Sequence, residues 1–169
     1  FNEENANGPI ALRTDGERLD FFSKYQQMIM EGAGVPVSKD LARQIWTMAM
    51  SVPKDFTPFD EVIPVLEQLK SQGYRLGVLS NLRRDMLELC NKIGLADYLD
   101  FFVSSADAGA EKPHAPIFLA ALEEMSAEPG ETVHVGDQYC ADVVGARAVG
   151  MNPVLIDRGG WNKAIEDCL

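Results

Sequence analysis

Three short polar sites interrupt this sequence, and each lies at or just after the end of an apolar run. The run RLGVLS (Arg75–Ser80) ends in Ser80-Asn81. The run DFFVS (Asp100–Ser104) leads into AEKPHAPIF, which carries Lys112. The run TVHVG (Thr132–Gly136) leads directly into Asp137, with Asp142 following in GDQYCAD. A hydroxyl, an ammonium and two carboxylates suit the handling of a phosphate ester. The Ser80 hydroxyl and the Asn81 backbone N–H can donate to phosphate oxygens, and Lys112 can neutralise the anion and the charge that develops on transfer. Asp137 and Asp142 offer hard oxygen ligands to a divalent cation, for which Mg²⁺ is the natural choice. Each signal has a plainer alternative: turn chemistry at Ser80-Asn81, a solvated lysine before a proline, and helix-capping aspartates.

These groups meet only if the intervening elements bring them together. After residue 58 the hydrophobic period changes repeatedly. Asp60–Gln72 reads as an amphipathic helix with Val62, Val65, Leu66 and Leu69 on one face, Pro64 in its first turn and Gly73 closing it. Helices are likewise expected over Leu82–Ile93, His114–Met125 and Ala141–Val149, with Pro153–Ile156 as a fourth strand. Alternating strands and helices with short connections predict a Rossmann-like α/β fold, a parallel sheet with helices on both faces. In such sheets ligands bind beyond the carboxyl ends of the strands, where Ser80, Lys112 and Asp137 fall. Upstream, two helical patterns surround Gly32-Ala-Gly34-Val-Pro36. One runs through Phe21, Phe22, Tyr25, Met28 and Ile29. The other runs through Leu41, Ile45, Met48 and Val52, with Ser38 as N-cap. This helical hairpin is too small to bury a core alone. The polar, proline-containing stretch SVPKDFTP separates it from the rest, giving a helical region over 1–58 and an α/β core over 59–169.

The 169 residues carry 26 acidic and 15 basic side chains, a net charge of −11, which repels nucleic-acid backbones. No apolar run approaches the roughly 18–20 residues of a membrane span. Cys90, Cys140 and Cys168 show no CxxC spacing, which argues against a disulfide scaffold or zinc site and for a reducing, cytoplasmic compartment. Cys140 is expected to be a small buried thiol, His134 a satisfied core histidine, and His114 a cap for the helix it precedes. Trp161 is expected to cover the sheet end.

The ordered set LSN, EKP and HVGDxxxxDVxGA, spanning residues 59–158, resembles motifs two to four of the haloacid dehalogenase-like hydrolase superfamily. The hairpin resembles the small α-helical cap that many members carry. The resemblance implies that Ser80 binds the transferring phosphoryl group and that Asn81 positions it through its backbone. It implies that Lys112 stabilises the charged intermediate, that Asp137 binds Mg²⁺, and that Asp142 supports the metal or Lys112. The two acidic residues favour the phosphatase branch, acting on a small phosphorylated metabolite through an aspartyl-phosphate. The alternatives are an inactive relative that still binds metal or phosphate, and a metal-independent 2-haloacid dehalogenase. His114 stands where many relatives have an aspartate.

The family's first motif, an apolar strand ending in DxD that supplies the nucleophile, is not found. The nearest candidate, Ile10–Gly16, would put Arg13 at the nucleophile position, and arginine cannot serve there. The expectation is that residues 1–20 belong to the cap and that this motif lies upstream of Phe1. In the family its strand is central, between those ending at Ser80 and Asp137. Without it two inner edges stay unpaired, at about 1–3 kcal/mol per buried orphan group, against roughly 5–15 kcal/mol for a whole domain. An upstream segment could fill the slot, the two edges could close on each other, or a second copy could fill it by exchange or as a homodimer; the first is favoured.

Overall fold

The computed structural model describes residues 13–160, which part between Phe56 and Thr57 into two units. In the first, Thr14 starts helix α1 (Asp15–Gly32) with a reciprocal cap. Its hydroxyl accepts the Glu17 N–H, and its own N–H donates to the Glu17 carboxylate at 2.8 Å. Asp15 and Gly16 therefore form a helical first turn rather than a strand end; Ile10–Leu12 lie outside the described residues. Ser38 caps α2 (Lys39–Ser51) as expected, accepting the Leu41 N–H at 3.2 Å.

The α2 stripe differs from expectation. Leu41, Met48 and Val52 are exposed, Met48 to 70%. The contact with α1 is instead made by buried Ala42 and by Trp46, whose ring stacks on Phe22 at 4.5 Å. Two helices can bury only one narrow stripe each. The flat aromatic pair beside a small alanine allows the closer approach, and that rotates the aliphatic stripe outward.

The second unit runs α3 (Val62–Ser71), β1 (Gly77–Ser80), α4 (Met86–Lys92), β2 (Phe101–Ser104), α5 (Ala115–Met125), β3 (Val133–Gly136), α6 (Val144–Ala148) and β4 (Asn152–Leu155). The α/β alternation holds, with shorter elements than the sequence suggests. Asp85 caps α4 by accepting the Glu88 N–H at 2.8 Å, so Leu82–Arg84 stay outside the helix. His114 occupies the N-cap of α5 but makes no side-chain capping bond. Tyr139–Val143 form one wide π-type turn before α6.

The strands pair in parallel as β1 with β2 and β3 with β4, two two-stranded ladders in keeping with the expected Rossmann-like α/β fold. Among the described residues β1 and β3 have no ladder with each other, so these edges have not closed. One face of the β3–β4 pair is uncovered: Val133 and Val135 are 57% and 52% exposed, and Val154 beside Val135 is exposed too. The core lies under the other faces. Phe101 and Val103 of β2 pack with Ile117, Phe118, Ala121 and Leu122 of α5, with Ala146 of α6 and with Met151. Gly145 makes this possible, because a Cβ there would fall 2.6 Å from the Phe118 ring and 2.9 Å from the Pro113 backbone.

Cys140 corrects another expectation. It is half-buried rather than buried, while Cys90 is free and buried. No described helix is long and apolar enough to cross a membrane. Trp161 lies outside the described residues.

Candidate functional site

Ser80 ends β1, and its surroundings fix the chain that follows. Its carbonyl accepts the Ser105 N–H at 2.9 Å, and its hydroxyl oxygen accepts the Leu82 N–H at 3.2 Å. The buried Ser105 hydroxyl donates to the Asn81 carbonyl at 3.1 Å. The Asn81 side chain then reaches across to the next loop. Its Oδ1 accepts the Lys112 N–H at 2.7 Å, and its Nδ2 donates to the Lys112 carbonyl at 3.1 Å. One carboxamide thus satisfies both backbone groups of Lys112, as a neighbouring strand would. The peptide that follows, Lys112–Pro113, is cis.

The other end of Lys112 is fixed as firmly. Its Nζ donates to Asp142 Oδ1 at 2.6 Å, inside the second unit where both groups are largely shielded from water. His134 Nε2 lies 3.0 Å from the same oxygen, and the Gln138 N–H donates to Oδ2 at 2.9 Å. Burial alone would raise the Asp142 carboxyl, which is only 2% exposed. The His134 bond, the Lys112 charge and bond, and the Gln138 N–H outweigh it and hold the group well below the usual carboxylate range. Gly136 makes room for the carboxylate, since a Cβ there would lie 2.2 Å from Asp142 Cγ.

Asp137 is exposed where β3 ends. It lines a cavity of about 510 Å³ together with Gly136, Ile156, Asp157, Arg158 and Phe59. The Arg158 guanidinium pairs with Glu61 and lies 4.1 Å from the centre of the Phe59 ring, forming one wall. The described residues contain no cluster of three or more acidic, histidine or cysteine side chains arranged to hold a metal. The cavity still offers the Asp137 and Asp157 carboxylates, and Mg²⁺ is ordinarily held by one or two carboxylates together with water and phosphate oxygens. The donor set therefore fits that ion. Asp142 is placed differently, because both of its oxygens already accept bonds from protein donors.

Of the residues singled out from the sequence, Asn81, Lys112 and Asp142 form one hydrogen-bonded chain. Ser80 immediately precedes it, and Asp137 stands beside Gln138, which anchors Asp142. The structure adds the Asn81 side chain, Ser105, Gly136 and His134. Strand alternation was the available signal for the last two. His134 and Gly136 share one face of β3, so a carboxylate packed on Gly136 comes within reach of His134.

Comparison with known proteins gives this geometry a context. Residues 14–156 match the family described as haloacid dehalogenase-like hydrolase. The glyceraldehyde 3-phosphate phosphatase of Methanothermobacter thermautotrophicus is 38% identical over 101 residues, which is 59% of this chain and 45% of that protein. The human haloacid dehalogenase-like hydrolase domain-containing protein 3 is 35% identical over 121 residues, 68% of this chain and 48% of that protein. The chain thus spans about half the length of these curated relatives. The crystal structure of a HAD phosphatase from Thermococcus onnurineus matches with a TM-score of 0.62 and 28% identity, over 83% of this chain and 78% of that one.

Proposed function

The chain belongs to the haloacid dehalogenase-like hydrolases, and from that premise we propose that it carries the phosphate- and metal-binding part of a Mg²⁺-dependent phosphomonoesterase. The observation that carries the reading is the double fixation of Lys112 by the Asn81 carboxamide and the Asp142 carboxylate. An ammonium held this rigidly serves as a preorganised countercharge for a phosphoryl group. Ser80 and the Asn81 N–H bind that group, and Lys112 offsets its developing charge. Asp137 would hold Mg²⁺, with Asp157 beside it in the cavity. Asp142 supports the ion only indirectly, through its position and its grip on Lys112. Bound Mg²⁺ supplies further neutralisation of the phosphate oxygens.

The nucleophile in this reading is an aspartate on a strand between β1 and β3, which share no ladder among the described residues. Its carboxylate attacks phosphorus, the alcohol leaves, and water hydrolyses the aspartyl-phosphate. The substrate is a small phosphorylated metabolite, as the name of the glyceraldehyde 3-phosphate phosphatase relative suggests. Residues 1–58 act as a cap region that selects the leaving group, and 59–169 as the core.

The test is hydrolysis of an aryl phosphate by this chain and by a polypeptide extended upstream of Phe1. The reading expects turnover in the extended form, abolished by EDTA and by Asp137→Asn. Absence of turnover there refutes it. Metal or phosphate binding without turnover supports an inactive relative. Chloride release from a 2-haloacid that ignores EDTA would identify a dehalogenase.

A further inference from the structure

Lys112 ends on a flexible four-carbon stem, so the location of its charge is set by whatever holds the ammonium. Asp142 Oδ1 accepts from that ammonium at 2.6 Å. The same oxygen lies 3.0 Å from His134 Nε2. We propose that His134 is a positioning residue for Lys112, acting through the Asp142 oxygen the two side chains share. The proposal deepens the phosphatase reading and rests on it for what Lys112 does.

The argument begins with the carboxylate. The terminal torsion of an aspartate is soft and roughly two-fold, so one contact does not fix the plane of its oxygens. The Gln138 N–H holds Oδ2 at 2.9 Å, on the backbone of the turn that carries Asp142 itself. Lys112 cannot fix Oδ1, because the lysine is the group being placed. His134 can. It stands on β3, whose backbone register is set by pairing with Pro153 of β4. Its ring meets Phe118, a fully buried core residue, edge to face at 5.2 Å. The imidazole is therefore rigid where the lysine is not, and it supplies the second fixed point on the carboxylate.

The chemistry also assigns the proton. An ionised carboxylate only accepts hydrogen bonds, so a bond at 3.0 Å requires hydrogen on Nε2. A side chain that merely filled space beside Phe118 would have no such requirement, and any apolar group of similar volume would serve. The inference thus separates a packing role from a positioning one by a single donor.

Two NMR measurements on the full chain test it, and neither depends on turnover. With ¹⁵N-labelled lysine, Lys112 should give an exchange-protected NH₃⁺ signal, identified by its loss in Lys112→Arg. His134→Gln, which keeps a donor near the Nε2 position, should retain that signal. His134→Leu should abolish it or speed its exchange by about tenfold or more, the equivalent of roughly 1.4 kcal/mol of lost restraint, while the circular dichroism stays native. In the unmutated chain, the ring nitrogen shifts should show hydrogen on Nε2. An unchanged Lys112 signal in a folded His134→Leu protein overturns the proposal, and so does an Nε2 without hydrogen. If the leucine variant does not fold, the ring measurement on the unmutated chain decides alone. Failure of every form to hydrolyse phosphate esters would instead refute the phosphatase reading and leave these signals as they are.

Discussion

Replacing Gly136 by alanine tests whether the site depends on close packing at the end of β3. The added Cβ would lie 2.2 Å from Asp142 Cγ, 2.3 Å from Oδ2 and 2.5 Å from its Cβ. Ordinary contacts start near 3.4 Å, so the side chain must retreat by roughly 1 Å, an overpacking shift of the kind that costs about 1–3 kcal/mol in a filled core. Rotation of the carboxylate alone cannot relieve the contact, because the Asp142 Cβ is itself too close. That atom moves only with the π-type turn, which is held by the Asp142 N–H bond to the Gln138 carbonyl at 2.7 Å. A retreat of that size lengthens the 2.6 Å Lys112 bond past hydrogen-bond range and breaks the 2.9 Å Gln138 bond.

Parting a buried ion pair costs up to about 3–5 kcal/mol when one charge is left stranded. Lys112 keeps some contact with water, so the full figure does not apply. We expect Gly136→Ala to destabilise the fold by about 2–4 kcal/mol, lowering Tm by roughly 4–16 °C for a chain of this size. Gly130→Ala is the matched control. It adds a Cβ with nothing within 4 Å and should stay within about 0.5 kcal/mol. Thermal or urea melts of the three proteins decide. A Gly136→Ala protein that melts like the control and keeps the protected Lys112 NH₃⁺ signal would refute the packing argument.

Four other outcomes follow from the same contacts. Phe118→Ala removes a fully buried ring from the core and should cost about 3–5 kcal/mol in urea melts. Asn81→Ala leaves the Lys112 N–H and carbonyl without their partners and should cost about 1–3 kcal/mol; equal melts would show that the clamp is immaterial. Asp142 has its carboxyl lowered on folding, so its ionisation stabilises the fold above the unfolded value near 3.9 and that contribution fades as pH falls below it. Urea midpoints from pH 7 down to pH 3 should therefore fall more steeply in the unmutated chain than in Asp142→Asn. Asp137→Asn should weaken Mg²⁺-dependent phosphate binding by about tenfold or more in calorimetry, with little change in Tm because Asp137 is exposed.

Much of the second unit was legible because its signals are local. Periodicity and glycine stops located α3, α5 and all four strands, and Asn81, Lys112 and Asp142, singled out after three of those strands, join in one hydrogen-bonded chain. What escaped was decided by partners distant in sequence. Nothing in the pattern of α2 shows that Phe22 and Trp46 stack and turn Met48 outward. The Asn81 carboxamide is chemically suited to a turn, and only the fold shows that it bonds the backbone of Lys112 instead. His134 reads as a core residue by alternation, which is correct for its burial. Its bond to Asp142 depends on the wide turn at Tyr139–Val143, which no propensity announces.

The split sheet and the site are connected. Asn81 follows the β1–β2 pair, while His134 and Asp142 belong to β3 and the turn after it. Lys112 is bonded to both groups, by its backbone on one side and its ammonium on the other. No ladder joins the two pairs of strands among the described residues, and the bonds of Lys112 form a polar tie between them. The apolar core under α5 and α6 provides the rest. A strand entering between β1 and β3 would add backbone bonds to both edges and share that role with Lys112. The residue would then be free to answer the charge of a bound phosphate while its position stayed fixed. In the proposed reading, preorganisation of the ammonium and closure of the sheet would be coupled. A variant that loosens Lys112 should weaken the capture of an added strand as well as the binding of phosphate.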